Sequence, residues 1–288
     1  MKVAFWNVGG MGMTGSKLPA CKSWIANHRP DVIFFQEVSA SLEHHGPGGD
    51  YSEWLWVPTL NKHGEASTKN LAVYGRQEYQ PLLRMAEHTP LITYAEVQAQ
   101  LKEEGRRSPD ARREAAAIAL EYQENVRLYI FGVHANASES GAFTSFRAAE
   151  RLVSRAEGGD LLLIGGDFNT DSGALSAGLT KKISPLSYRD TILPFTQWDK
   201  DDLPANLSAG GPHRNDAEIR AYRDSILMPV DHGALNAWYK IVQPHRAIDY
   251  VLCSEGLRIS ALKNCSSADE WLTILREFDH APVIYQIS

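Results

Sequence analysis

Apolar positions in this chain fall into short runs, and the residue that closes each run carries chemistry. Lys2-Val3-Ala4-Phe5-Trp6 leads into Asn7, and Val32-Ile33-Phe34-Phe35-Gln36 into Glu37. Leu128-Tyr129-Ile130-Phe131-Gly132-Val133 leads into His134, and Leu161-Leu162-Leu163-Ile164-Gly165-Gly166 into Asp167-Phe168-Asn169. Near the C-terminus come Ala247-Ile248-Asp249-Tyr250-Val251-Leu252 and then Asp279-His280-Ala281-Pro282-Val283. Runs of this length, rich in β-branched and aromatic residues, read as buried strands. Weaker strand signals lie at 54–58 and 70–75, while 115–122 and 126–133 read as an antiparallel pair joined near Glu124-Asn125. Helical patterning covers Lys17 to His28, closed by Pro30, and Phe143 to Glu157. The charged stretch 96–114 reads as an exposed helix or mobile loop. Polar residues recurring at strand edges read as one site gathered on the rim of a sheet scaffold, which marks the chain as an enzyme candidate.

The site candidates run from Asn7 to His280 in a chain of 288 residues, so a division into two domains would cut through the site. One domain over 1–288 is expected, with a polar excursion at about 194–247. That excursion carries five prolines together with His213, Arg214, Arg220, Arg223, His232, His245 and Arg246. Insertions of this kind between core strands tend to carry specificity. The 29 Lys plus Arg against 35 Asp plus Glu give a net charge of −6. That is not the footprint of a protein that coats nucleic acid, and it leaves room for an enzyme that touches a few phosphates and turns over. Three cysteines without metal-type spacing fit a reducing compartment. There is no signal-peptide pattern, and no apolar run approaches the about 18 residues needed to span a bilayer. A cytoplasmic protein is expected, or a secreted one if a leader was removed or export is non-classical. No protein partner can be named from these features.

Asp167 and Asn169 stand two apart on an extended segment, so their side chains point the same way, one offering a charged oxygen and the other a neutral amide. Glu37 and Asp279 add carboxylates. Clustered carboxylates repel unless a cation or proton intervenes, and all-oxygen ligation favours magnesium or manganese over zinc. His134 and His280 bring two imidazoles that can serve as acid and base near neutrality, and Asp249 is a candidate to fix the tautomer of one.

Trp6-Asn7, Gln36-Glu37, His134 with a small-residue loop after it, Gly166-Asp167-Phe168-Asn169, Ile248-Asp249-Tyr250 and Asp279-His280-Ala281-Pro282-Val283 follow one another in a specific order. In that order and over essentially the whole chain, the sequence resembles the endonuclease/exonuclease/phosphatase (deoxyribonuclease I-like) superfamily. Histidine at 134 is similar to the branch of deoxyribonuclease I, sphingomyelinase and the cytolethal distending toxin B subunit; the exonuclease III branch typically has tyrosine there. The spacing around Asn70-Leu71-Ala72-Val73 is also similar to the toxin subunit.

The resemblance implies an α/β (α+β) four-layered sandwich: two mainly antiparallel sheets packed face to face, with helices on the outside. It implies a magnesium-dependent phosphoesterase, with manganese as a substitute, attacking a phosphodiester in line with water. By position, Asn7, Glu37 and Asp279 would hold the metal. Asp167 and Asn169 would hold the scissile phosphate, the attacking water or a second ion. His280, oriented by Asp249, would act as base and His134 as acid or transition-state stabiliser. Which histidine is base stays open at this level. Lys69, Asn136 and Arg246 are the candidates for substrate contacts.

Two departures bear on substrate. Deoxyribonuclease I carries an arginine just after its Gln-Glu pair, where this chain has Val38-Ser39-Ala40. It also pairs its first histidine with a glutamate before the strand at 70–75, where this chain has Ser67-Thr68-Lys69. Arg106, Arg107, Arg112 and Arg113 are alternative phosphate contacts. The expected activity is that of a nuclease on DNA, with RNA as a further substrate. The alternative is a phosphatase or phosphodiesterase for a small-molecule or lipid headgroup phosphate such as a phosphoinositide. A non-catalytic binding module of the same fold would have lost at least one of the eight positions, and all eight are present.

Overall fold

The computed structural model describes residues 1–58, 70–79, 81, 83–84, 115–123, 126–134, 160–167, 249–254, 256–262, 266, 270, 273–274, 277–278, 280 and 282–288. Within them, β1 (Lys2–Met11) is followed by α1 (Lys17–His28), β2 (Val32–Val38), β3 (Tyr51–Val57), β4 (Asn70–Arg76) and β5 (Leu83–Arg84). Then come β6 (Ala115–Gln123), β7 (Val126–His134), β8 (Leu161–Asp167), β9 (Asp249–Cys253), β10 (Ile259–Ala261) and β11 (Val283–Ile287). They form a six-stranded sheet in the order β10-β11-β1-β2-β4-β3 and a five-stranded sheet in the order β5-β6-β7-β8-β9.

Both sheets are mixed and mainly antiparallel. Each contains one parallel pair, β1 with β2 and β7 with β8. Parallel neighbours need a long crossover, and between β1 and β2 that crossover is α1. Alternation along β1 sends Phe5 to one face and Trp6 to the other. Trp6 meets Trp24 of α1 edge-on at 5.2 Å and Phe278 at 4.5 Å, so this outer face is covered by the helix. On the inner face Phe5 stacks on Phe34 of β2 with ring centroids 5.2 Å apart.

The opposing sheet makes room for these rings with glycine. A Cβ on Gly132 of β7 would stand 2.4 Å from Phe34 Cδ1, and one on Gly165 of β8 would stand 2.5 Å from Phe5 Cε2. Real side chains do not approach so closely, so the two glycines are what lets the aromatic pair enter. Their fit also sets the alignment: β1 lies over β8 and β2 over β7. Between and around the sheets the core is built from apolar side chains, from Val3 and Ile33 to Ile130, Leu163 and Val283.

This is the α/β sandwich expected from sequence. α1 has the predicted bounds, and it ends in a left-handed Arg29 (φ 47°) whose N–H donates to the Ile25 carbonyl at 2.8 Å. Pro30 comes next and has no N–H with which to continue. One expectation needs correction: β1 does not stop at Asn7 but runs on to Met11. The pairing of β1 with β2 breaks register between Asn7 and Met11, where Gly9 and Gly10 have positive φ. The strand therefore bulges past Asn7 instead of ending there. The helix expected at 143–157, the charged stretch 96–114 and the excursion 194–247 lie outside the described residues.

Candidate active site

The two parallel pairs run the same way over each other, and their C-terminal ends bring four of the expected residues to one edge. On the inner face of the second sheet, His134 has the parity of Gly132, and Asp167 that of Gly165. The two are register partners across β7 and β8, so both side chains point into the space between the sheets. On the first sheet Asn7 has the parity of Phe5, and its register partner is Gln36 of β2.

Strict alternation would send Glu37 to the outer face, away from Gln36. It does not go there. Glu37 has φ 57°, and the β2–β4 register shifts between Phe35 and Val38. This bulge re-aims the carboxylate, a common use of bulges at sites. Asn70 of β4 braces it: buried at 2% exposure, it donates its Nδ2 to the Val38 carbonyl at 3.0 Å.

The described side chains converge on one oxygen. Asn7 Nδ2 donates to Asp167 Oδ2 at 3.0 Å, tying the first sheet to the second. Asn7 Oδ1 accepts the Gly9 N–H at 3.1 Å, which fixes the amide's orientation. His280 Nε2 lies 3.8 Å and His134 Nε2 3.9 Å from the same Asp167 Oδ2. His134 Nε2 is also 3.2 Å from Glu37 Oε1. The main chain of His280 is anchored by Trp6, whose indole N–H donates to its carbonyl at 3.0 Å. Asp167, His134 and His280 are 1%, 3% and 4% exposed, so these groups act on one another with little screening by water.

Of the expected residues, the structure thus joins Asn7, Glu37, His134, Asp167 and His280. Asp249 is the register partner of Asp167 across β8 and β9, which places it on the adjoining strand. Asn169, Asp279, Lys69, Asn136 and Arg246, and the side chain of Asp249, lie outside the described residues. Among the described residues, no three His, Cys, Asp or Glu side chains close into a ligand set for a metal ion.

Sequence reading passed over two neighbours. Asn70 was visible only through the spacing of Asn70-Leu71-Ala72-Val73, with no role attached to it. Gln36 was visible only as the residue before Glu37. It is fully buried, and among the described residues neither polar atom of its carboxamide has a hydrogen-bond partner.

The sequence profile of the endonuclease/exonuclease/phosphatase family matches residues 4–267. A comparison with curated protein sequences finds no match. Among solved structures, Danio rerio TDP2 complexed with a single-strand DNA product superposes with a TM-score of 0.58 at 12% identity, over 100% of this chain and 98% of that one. A mannosyl-6-phosphatase of Bacteroides thetaiotaomicron superposes with a TM-score of 0.61 at 14% identity, over 100% and 99%. At these identities the likeness is one of fold. By the profile match over most of its length, the chain belongs to the endonuclease/exonuclease/phosphatase family, whose members are hydrolases acting on phosphoester bonds.

Proposed function

We propose that the protein is a divalent-cation-dependent phosphodiesterase, and that its substrate is DNA, with RNA as a further substrate. The observation that carries the reading is the convergence of Asn7, His134 and His280 on Asp167 Oδ2, with Glu37 at the same Nε2 of His134. A buried carboxylate between two imidazoles, with a second carboxylate in reach, can both move protons and meet a phosphate's charge.

Enzymes of this superfamily generally use divalent metal ions. The donors present fit a hard cation in kind: Glu37 and Asp167 offer carboxylates and Asn7 an amide, all at one strand edge. Asp279 is the further ligand in this proposal. Magnesium held there, or manganese in its place, would supply Lewis-acid polarisation of a phosphoryl oxygen.

The chain's own residues do the rest. His280 takes the proton of the attacking water, with Asp249 as its orienting partner and the Trp6 indole holding its main chain. His134 meets charge developing on the phosphoryl oxygens or protonates the leaving oxygen, and Glu37 holds its Nε2 side in place. Asp167 and Asn169 position the phosphate and the water, and Asn7 fixes Asp167. Lys69, Asn136 and Arg246 complete the contacts to the substrate backbone.

The relative complexed with a single-strand DNA product supports a nucleic-acid substrate on this fold. One feature favours the second reading, a small-molecule phosphatase or phosphodiesterase. Where deoxyribonuclease I has an arginine just after its Gln-Glu pair, this chain runs from Glu37 into Val38-Ser39-Ala40, and the Ser39 N–H donates to the Met11 carbonyl. The mannosyl-6-phosphatase relative is in keeping with it.

The discriminating experiment incubates the protein with plasmid, single-stranded DNA and RNA, with magnesium and with chelator. Magnesium-dependent cleavage of DNA is expected. No cleavage of any of the three, with inorganic phosphate released from sugar phosphates or phosphoinositides, would replace the nuclease by the phosphatase.

A further inference from the structure

Gln36 occupies the floor of the site. It precedes Glu37 in β2 and is the register partner of Asn7 in β1. Its Nε2 lies 2.7 Å from where a Cβ on Gly166 would stand, and the Val133 carbonyl oxygen lies 2.2 Å from that same point. Gly166 and Val133 directly precede Asp167 and His134. The carboxamide therefore sits one residue behind Glu37, Asp167 and His134 at once, and beside Asn7.

This placement is costly. The residue is 0% exposed, and among the described residues neither Nε2 nor Oε1 has a partner. Its neighbours along the inner face are aromatic and aliphatic, Phe34 and Phe5 among them. A buried amide that has lost its water and gained no hydrogen bond lowers stability, and an apolar side chain of the same shape would not. Gly166 adds to the cost, because its φ of 129° suits only glycine, and the space it leaves is what the Gln36 amide fills. Local violations of the rules for stable cores cluster at functional sites.

We propose that Gln36 is a positioning residue, whose unsatisfied carboxamide is a reserve donor and acceptor that the loaded site engages from beneath. It acts through Glu37 and Asp167 and does not touch the substrate. With the site loaded, the amide would supply a hydrogen bond that holds those carboxylates in place. Partners of this kind behind ligating carboxylates typically contribute ten- to a hundredfold to affinity or activity. The role rests on the phosphoesterase reading above.

The test replaces Gln36 by two apolar side chains of similar length, Q36M and Q36L, in the full chain. Two quantities are measured: the urea midpoint without added cation, and kcat and KM separately on a simple chromogenic phosphodiester with magnesium. Both variants are expected to be at least as stable as the parent. In both, kcat should fall roughly ten- to a hundredfold, with KM within about twofold. A purely structural glutamine predicts the reverse pairing, lower stability with kcat intact, and that result would overturn the role of Gln36 alone. Variants that keep the parent's kcat at any stability would do the same. A parent chain inactive on every phosphoester would overturn the reading of the site itself.

Discussion

At the scale of single residues, the site depends on backbone conformations that side-chain identity does not announce. Glu37 reaches His134 because its φ is 57°. Asp167 receives Asn7 because Gly166, just before it, turns at φ 129°. An alanine at 166 would place its Cβ 2.2 Å from the Val133 carbonyl oxygen, a backbone atom that cannot step aside. G166A is therefore expected to lower stability by about 2–4 kcal/mol, from strain and overpacking together. It should also displace Asp167 enough to abolish activity. Urea denaturation checks the first effect, and a G166A protein of parental stability would refute the backbone argument. The identities of Asn7, Glu37, His134, Asp167 and His280 were legible in the sequence. The aim of Glu37 was not, because period-two alternation assigns it to the wrong face and only a bulge corrects it.

At the scale of elements, the two parallel pairs make the site. Each alone would bring two polar residues to a strand edge; stacked through Phe5 and Phe34 on Gly165 and Gly132, they bring four to one place. Strand positions were legible from apolar runs within a few residues, as were the bounds of α1. Which strands would be neighbours was not, since pairings such as β1 with β11 join residues nearly a full chain length apart. β10 and the short β5 left no sequence signal at all, being only three and two residues long.

α1 is fastened to the C-terminal part of the chain by Glu270. Its carboxylate accepts from Asn27 Nδ2 at 3.0 Å and from Ser266 Oγ at 2.8 Å, and contacts His28 Nε2 at 3.0 Å. Burial pushes the Glu270 carboxyl up, but the contacts from His28, Ser266 and Asn27 outweigh it and pull it from 4.5 down to about 2. A carboxylate with a depressed value stabilises the fold above its unfolded value and loses that contribution as pH falls toward the folded one. E270Q is thus expected to be less stable than the parent at pH 7 by about 1 kcal/mol. The gap should close as pH falls from about 5 toward 2. Urea midpoints of both proteins across that range provide the check, and a gap independent of pH would contradict it.

At the scale of the whole molecule, the sandwich explains why chemistry spread from Asn7 to His280 can meet: both sheets point the ends of their parallel strands at one rim. Among the described residues Cys21 and Cys253 are buried free thiols, whose burial raises their pKa and keeps them protonated. Among the described residues no helix is long and apolar enough to cross a membrane. Reaction class was legible in the sequence because strand-end residues are few and their chemistry is specific. Substrate was not, because no local pattern in the sequence singles out its contacts, and the candidates Lys69, Asn136 and Arg246 lie outside the described residues. The most direct test of the site is the magnesium-dependent hydrolysis rate of a chromogenic phosphodiester by the parent, D167A and H280A, each shown to be folded. The account predicts a parent rate abolished by chelator and lowered roughly a hundred- to ten-thousandfold in either variant; a folded D167A or H280A that keeps the parent's rate would contradict it.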